Sequence, residues 1–215
     1  MHLLIDLDGT LTDSRQGIIN CLQHALAENG LPVPEAKDLL WCIGPPLLET
    51  LKKLVGPDSL DRFDPVVKSY RERYSVAGVY ENSVYPDVEN ALVELRELGH
   101  TLHVATSKAE VFAKQIIAHF SLNQYFVSVS GSDLDGTRAN KADLIAHILD
   151  REKIAKPDVV MIGDREHDII GAKKNGIPAI GVLWGYGTGA ELMGAGAKAC
   201  VRVPQLLAAS LRAIQ

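Results

Sequence analysis

Asp6 and Asp8 stand either side of one leucine, where the apolar run Leu3-Leu4-Ile5 gives out. The run reads as a short buried strand, and Gly9 supplies the turn that stops it. A strand side chain returns to the same face after two residues, so both carboxylates can project into one crevice beyond the strand's carboxyl end. Two anions held that close are costly unless a cation or a shared proton compensates. A turn former or a helix cap would account for only one of them. Asp13 and Ser14 are better placed to cap the helix that follows.

Three further stretches could add to this chemistry. In Val104-Ala105-Thr106-Ser107-Lys108 a hydroxyl sits at a strand's carboxyl end beside a helix start, where it serves either as an N-cap or as a donor to a phosphate oxygen. Lys141 opens an amphipathic helix, and a cation in a first turn opposes the helix dipole. Either it snorkels to solvent or an anion holds it there. In Met161-Ile162-Gly163-Asp164-Arg165-Glu166-His167-Asp168 an apolar strand ends in an acid, with another acid four residues on. One helical turn rises about 5.4 Å, so Asp164 and Asp168 could join one network. Glu166 reads as a helix N-terminal acid and His167 as a surface histidine. Trp184-Gly185-Tyr186-Gly187-Thr188-Gly189 reads as a loop with a structural role, because it lacks the lysine of a phosphate-binding P-loop.

Placing these residues requires two kinds of architecture. Ile18, Cys21, Leu22, Ala25 and Leu26 recur at the helical period, and Gly30 with Pro32 ends that helix. Leu47, Leu48, Leu51 and Leu54 mark a second helix, and a third is expected from about Asp58 to Val76. No strand is expected from Ser14 to Tyr85, which reads as an inserted helical bundle. From Pro86, placed in the first turn of a helix, apolar strands alternate with helices. The strands expected are 101–105, 126–130, 159–162 and 179–182, with helices at 110–120, 141–150 and up to Asn175. That alternation predicts a parallel sheet with helices on both faces, rejoined by the first strand.

With these stretches in order, Asp6-Leu7-Asp8-Gly9-Thr10-Leu11-Thr12-Asp13-Ser14 resembles the first signature of the haloacid dehalogenase superfamily, and most nearly its phosphoglycolate phosphatase-like branch. The Thr106, Lys141 and Asp164 stretches resemble its other three signatures, although the branch often has proline where Ala142 follows Lys141. The resemblance implies an α/β fold: a doubly wound, Rossmann-like parallel-sheet core (1–14 and 86–215) with an inserted α-helical cap domain (15–85). It implies Mg²⁺-dependent hydrolysis of a small phosphate monoester. Asp6 would be the nucleophile and Asp8 the acid and base. Thr106, Ser107, Lys141 and the backbone near Asp8 and Gly9 would hold the phosphoryl group. Asp6, the Asp8 carbonyl and Asp164 would bind the metal, with Asp168 orienting a metal-bound water or Lys141. Lys108 and Lys156 stand as substitutes for Lys141. Gly44-Pro45-Pro46 resembles the family's specificity loop, and Arg71, Arg73 and Tyr74 could reach a substrate anion or merely form a solvated helix face. The same motifs leave room for a 5'-nucleotidase, a sugar-phosphate phosphatase, a pyrophosphatase, a phosphomutase or a non-catalytic receiver-like module.

Composition narrows the partners. A net charge of −5 and no Lys/Arg block argue against nucleic acid and anionic membranes. No apolar run approaches the roughly 20 residues of a bilayer span. The first residues lack a basic leader, which predicts a cytoplasmic protein. Cys21, Cys42 and Cys200 are too scattered for a disulfide framework or a metal site. The expected partner is a small phosphorylated metabolite; the oligomeric state is left open.

Overall fold

The computed structural model describes residues 1–213. Its main sheet has six parallel strands: β1 (His2–Ile5), β4 (Thr101–Ala109), β5 (Phe126–Ser132), β6 (Val159–Gly163), β7 (Ala179–Val182) and β8 (Ala199–Val201). Their spatial order is β5-β4-β1-β6-β7-β8, so β1 lies at the centre. His2 lies beside Thr101 and Val159, and Ile5 beside Val104 and Ile162. From β4 the chain steps outward to β5, then crosses back to β6 on the other side of β1. That reversal makes the carboxyl ends of β1, β4 and β6 a topological switch point, where open α/β sheets hold ligands. The expected doubly wound α/β core is the architecture found.

Alternation along β1 assigns the two faces. Leu3 and Ile5 enter one apolar core, and Leu4 enters the other with Leu144, Ile145 and Ile148 of α6 (Lys141–Arg151) and Ile169 of α7 (Glu166–Lys174). The opposite core takes Ala91, Leu92 and Leu95 of α4 (Val88–Glu97) and Ala113, Ile116 and Ile117 of α5 (Glu110–His119). Strands buried on both faces read as continuous apolar runs, which is why β6 and β7 were visible in the sequence. Leu4 and Leu144 are fully buried, and truncating either to alanine is worth about 2–5 kcal/mol.

Between the first and second sheet strands lie α1 (Arg15–Glu28), α2 (Leu47–Val55) and α3 (Phe63–Arg73). The third helix departs from the single element expected: a 3₁₀ turn covers Pro57–Arg62 and a π-helical turn, Tyr74–Gly78, closes it. A small two-stranded antiparallel sheet, β2 (Thr12–Asp13) with β3 (Ser83–Val84), ties the ends of this segment together, contrary to the expectation of no strand there. Two residues per strand leave no periodicity to read. Pro86 precedes α4 rather than opening its first turn, because Asp87 occupies the N-cap. Ser14 holds the N-cap of α1 without a capping side-chain bond; Asp13 Oδ1 takes the Arg15 N–H instead. The chain also adds α8 (Gly189–Ala195) and α9 (Leu207–Ala213), which no sequence pattern had marked. No helix among the described residues is long and apolar enough to cross a membrane.

Candidate active site

Asp6 follows β1 and Asp164 follows β6, neighbouring strands in register, so their carboxylates converge beyond the sheet. Asp168 joins them from the first turn of α7. One oxygen from each of Asp6, Asp164 and Asp168 lies within 4.8 Å of the others, and all three residues are buried. The cation that answers them is Lys141, 4% exposed at the start of α6. Its Nζ stands 2.9 Å from Asp6 Oδ1 and 2.7 Å from Asp168 Oδ1, and donates to the Ala105 carbonyl at 2.8 Å. Lys141 therefore does not snorkel to solvent. Neither carboxylate oxygen facing it receives an aligned hydrogen bond, so both keep unused acceptor capacity.

Three carboxylates against one ammonium is an unbalanced set. Burial pushes the Asp6 carboxyl up to about 7; Lys141 pulls it down, while Asp168 and Asp8 add repulsion. Burial likewise holds Asp164 well above the carboxylate range, with Asp6 and Asp168 adding to it and the Tyr186 N–H working against it. For Lys141 burial opposes the charge, but Asp168 and Asp6 outweigh it and hold the ammonium above the usual lysine range.

Several supports of Asp164 carry no side-chain signature. The Tyr186 backbone N–H donates to Asp164 Oδ2 at 2.8 Å, and the Thr10 hydroxyl lies 3.3 Å from Oδ1. Gly9, at φ +84°, leaves the room Asp164 needs, since a Cβ there would collide with its carboxylate. A Cβ at Gly187 would strike the Asp164 carbonyl. The loop at 184–189 thus packs directly on an acidic residue of the site, a closer part than its sequence suggested.

Asp8 has a partner of its own. Lys108 Nζ donates to Asp8 Oδ1 and to the Tyr74 hydroxyl, each at 2.7 Å. Tyr74 lies in the π-helical turn after α3 and is 2% exposed. Burial holds its phenol well above the ordinary range, so it stays neutral and accepts from the lysine. Two more bonds join this segment to the sheet domain: Arg165 donates to the Ile43 carbonyl, and Arg71 to the Leu134 carbonyl.

Other sequence expectations land differently. Thr106 and Ser107 are buried and line the same cavity as Asp6 and Asp8. They lie inside β4, which runs on to Ala109, so Thr106 caps no helix; its hydroxyl accepts the Lys108 N–H at 3.3 Å. The Gly9 N–H donates to the Thr12 carbonyl at 2.8 Å and is not free for a phosphate oxygen. Lys108 does not replace Lys141, and Lys156 is exposed in the turn before β6. Arg73 pairs with Glu81 at 2.8 Å, away from the cavity. His167 is half-buried, with an Nδ1 that meets no partner among the described residues.

This fold recurs in known proteins. Residues 3–182 match the family model described as haloacid dehalogenase-like hydrolase. A 5'-nucleotidase of Pseudomonas aeruginosa is 47% identical, over 89% of this chain and 86% of that protein. Tyrosine-protein kinase PtkA of Mycobacterium tuberculosis is 41% identical over 86% of this chain, which spans only 62% of that longer protein. A phosphoglycolate phosphatase of Agrobacterium fabrum is 30% identical, over 85% of this chain and 80% of its own. The crystal structure of a predicted phosphatase from Clostridium acetobutylicum superposes with a TM-score of 0.93 at 39% identity, covering 99% of this chain and 98% of that one. The chain belongs to the haloacid dehalogenase-like hydrolases. Within them it is a phosphatase.

Proposed function

We propose that this phosphatase hydrolyses a small phosphate monoester in the cytoplasm, with Asp6 as nucleophile and Mg²⁺ as cofactor. The observation that carries the reading is the buried set of Asp6, Asp164 and Asp168 around the single ammonium of Lys141. An Asp6 oxygen attacks phosphorus, the bond to the ester oxygen breaks, and Asp8 gives that oxygen its proton. Asp8 then takes a proton from the water that attacks the aspartyl-phosphate, which releases inorganic phosphate and restores Asp6. Lys141 neutralises charge on the phosphoryl oxygens, and Thr106 and Ser107 offer hydroxyls from β4.

The donor set fits the metal. Oxygen ligands from few carboxylates suit Mg²⁺, and carboxyls raised by burial and by one another's charge are stabilised as anions when a divalent cation joins them. Asp6 and Asp164 would hold it, with the Asp8 carbonyl, while Asp168 keeps Lys141 in place. Bound there, the ion supplies electrostatic stabilisation of the transferring phosphoryl group. Residues 15–85 act as a cap, since Tyr74, Ile43 and Arg71 already bond to the sheet side of the cavity.

Two ester classes lead. Phosphoglycolate follows from the motif resemblance, and a nucleoside 5'-monophosphate is favoured by the stronger likeness to the P. aeruginosa enzyme. The mechanism is tested with an activated aryl phosphate in Mg²⁺ and in strong chelator. Chelator should silence release of phosphate. Asp8→Asn should accumulate an added phosphoryl mass on the protein, because the second step loses its base. Equal phosphate release by wild type and Asp8→Asn would remove Asp8 from the mechanism. A long-lived phosphoryl group on wild type would favour a receiver-like module instead.

A further inference from the structure

The chemistry proposed above specifies the phosphoryl end of the substrate and leaves its alcohol undefined. The alcohol must occupy the cavity of about 230 Å³ that runs from Asp6 and Asp8 beneath the helical segment. Away from the two aspartates its walls are largely apolar, with Leu47 and Leu48 at the start of α2 facing Tyr70, Tyr74 and Phe112. Tyr70 and Tyr74 are buried, and Phe112, half-buried, is the most open of the three rings. Tyr70 and Tyr74 stack with centroids 5.5 Å apart, and Phe112 meets Tyr74 edge-on at 5.2 Å.

The charges along the same walls are unequal. Arg71 and Lys108 are the cations among the described lining residues, and of the two only Lys108 is paired with a carboxylate. Lys108 is held by Asp8 and Tyr74, and Arg71 by the Leu134 carbonyl. Beyond Asp6 and Asp8 the lining carries Glu49, Asp133 and Asp135, of which Asp133 pairs with Arg138 outside the cavity. A second anion on the substrate would find Arg71, bonded to a neutral carbonyl, as its one uncommitted cation against Glu49 and Asp135. Otherwise it would draw Lys108 away and leave the buried Asp8 carboxylate without its counter-charge, a costly exchange. A neutral ring demands neither, and it gains burial and an aromatic contact against the half-buried Phe112.

We infer that the substrate's alcohol is uncharged and carries a flat ring that rests against Phe112, and that an alcohol bearing a carboxylate is disfavoured by the excess of acids along the cavity. The inference rests on the monoester phosphatase reading and selects between its two leading esters.

The test compares kcat/KM in saturating Mg²⁺ for adenosine 5'-monophosphate, glycerol 1-phosphate and 2-phosphoglycolate, with p-nitrophenyl phosphate as a general ester. The expected order is nucleotide, then glycerol ester, then phosphoglycolate, with the first and last at least a hundredfold apart. Phe112→Ala should lower the nucleotide-to-glycerol-ester ratio about tenfold. Glu49→Gln combined with Asp135→Asn, both at exposed positions, should raise the phosphoglycolate-to-glycerol-ester ratio about fivefold. Phosphoglycolate hydrolysed as well as the nucleotide, or an unchanged nucleotide ratio in Phe112→Ala, overturns the inference while leaving the phosphatase reading intact. Failure to hydrolyse any of the four esters overturns that reading, and this inference with it.

Discussion

At the carboxyl end of the central strand, three buried carboxylates crowd together and one lysine pairs with two of them, Asp6 and Asp168; at its amino end, two histidines and a serine satisfy one another without an ion pair. There His103, 1% exposed on β4, lies 3.0 Å from His2 Nδ1 through its Nε2 and 2.8 Å from the Ser128 hydroxyl through its Nδ1. A neutral imidazole has one donor and one acceptor, so these contacts can complete its needs. Both ends place polar groups out of water, and both draw them from neighbouring strands. They differ in what remains unsatisfied. The amino end is closed as a hydrogen-bond system, whereas the carboxyl end keeps surplus negative charge and unaligned carboxylate oxygens. Surplus buried charge opposes folding and is tolerated where a ligand or ion completes it.

The largest effect expected from this contrast comes at Asp6. Asp6→Asn removes the proposed nucleophile while keeping shape and much of the burial. Turnover of any ester should fall by on the order of 10³-fold or more, because an amide nitrogen or oxygen does not form the acyl phosphate. Thermal stability should hold or rise, since the substitution deletes one of the crowded charges. Steady-state rates and a melting curve on the same preparation check both halves. Activity within tenfold of wild type would sink covalent catalysis through this residue.

The intermediate effect belongs to the amino end and is read as stability against pH. Burial, with His2 adding to it, lowers the His103 pKa from 6.5 to about 4. Between those values the unfolded chain binds a proton that the folded protein refuses. Stability is therefore highest above about pH 6.5 and falls as acid is added, with the full loss reached below about pH 4. At about 1.4 kcal/mol per pH unit the loss approaches about 3 kcal/mol. Asp6 works in the opposite sense, because its raised pKa adds stability as the pH falls and removes it as the pH rises through about 7. Comparing urea unfolding of wild type and His103→Gln at pH 7 and pH 4.5 subtracts the carboxylates. The variant should lose about 2 kcal/mol less than wild type between the two conditions. Parallel losses would mean that His103 titrates normally and that the amino end is not closed.

The two ends were also unequally legible in the sequence. Asp6, Asp8, Asp164, Lys141 and Asp168 stand beside strand ends or helix starts, where residue type and a two- or four-residue spacing reveal the position. The sheet was readable for the same reason, because its inner strands are continuous apolar runs. Contacts made by backbone or across long separations left no such trace. Tyr186 reaches Asp164 through an N–H that any non-proline residue carries, and Lys108 meets Asp8 from 100 residues away. Arg73 looked available on a helix face until the chain turned beyond Gly78 and brought Glu81 against it. His103 was read only as part of a strand, since nothing local announces a partner on β1 and another on β5.

The smallest effect tests whether the Asp8 pair belongs with the crowded end or the satisfied one. Lys108 and Asp8 balance each other, and the Tyr74 hydroxyl fixes the lysine from the helical segment. Tyr74→Phe deletes that hydroxyl and keeps the ring that stacks on Tyr70 and meets Phe112. A hydrogen bond to a charged group contributes about 1.5–3 kcal/mol, but here the loss reaches the reacting atoms only through Lys108. A three- to tenfold fall in kcat is therefore a reasonable expectation, about 1 kcal/mol of barrier. It should be larger for an alkyl ester, whose leaving oxygen needs its proton, than for p-nitrophenyl phosphate, which departs with little help. Lys108→Met should lower kcat further, and adding Tyr74→Phe to it should change little, because the hydroxyl then has no ammonium to hold. Independent, multiplying losses in the double variant would separate Tyr74 from Asp8. Tyr74 would then be a wall of the cavity alone, and Asp8 would keep its place without help from the helical segment.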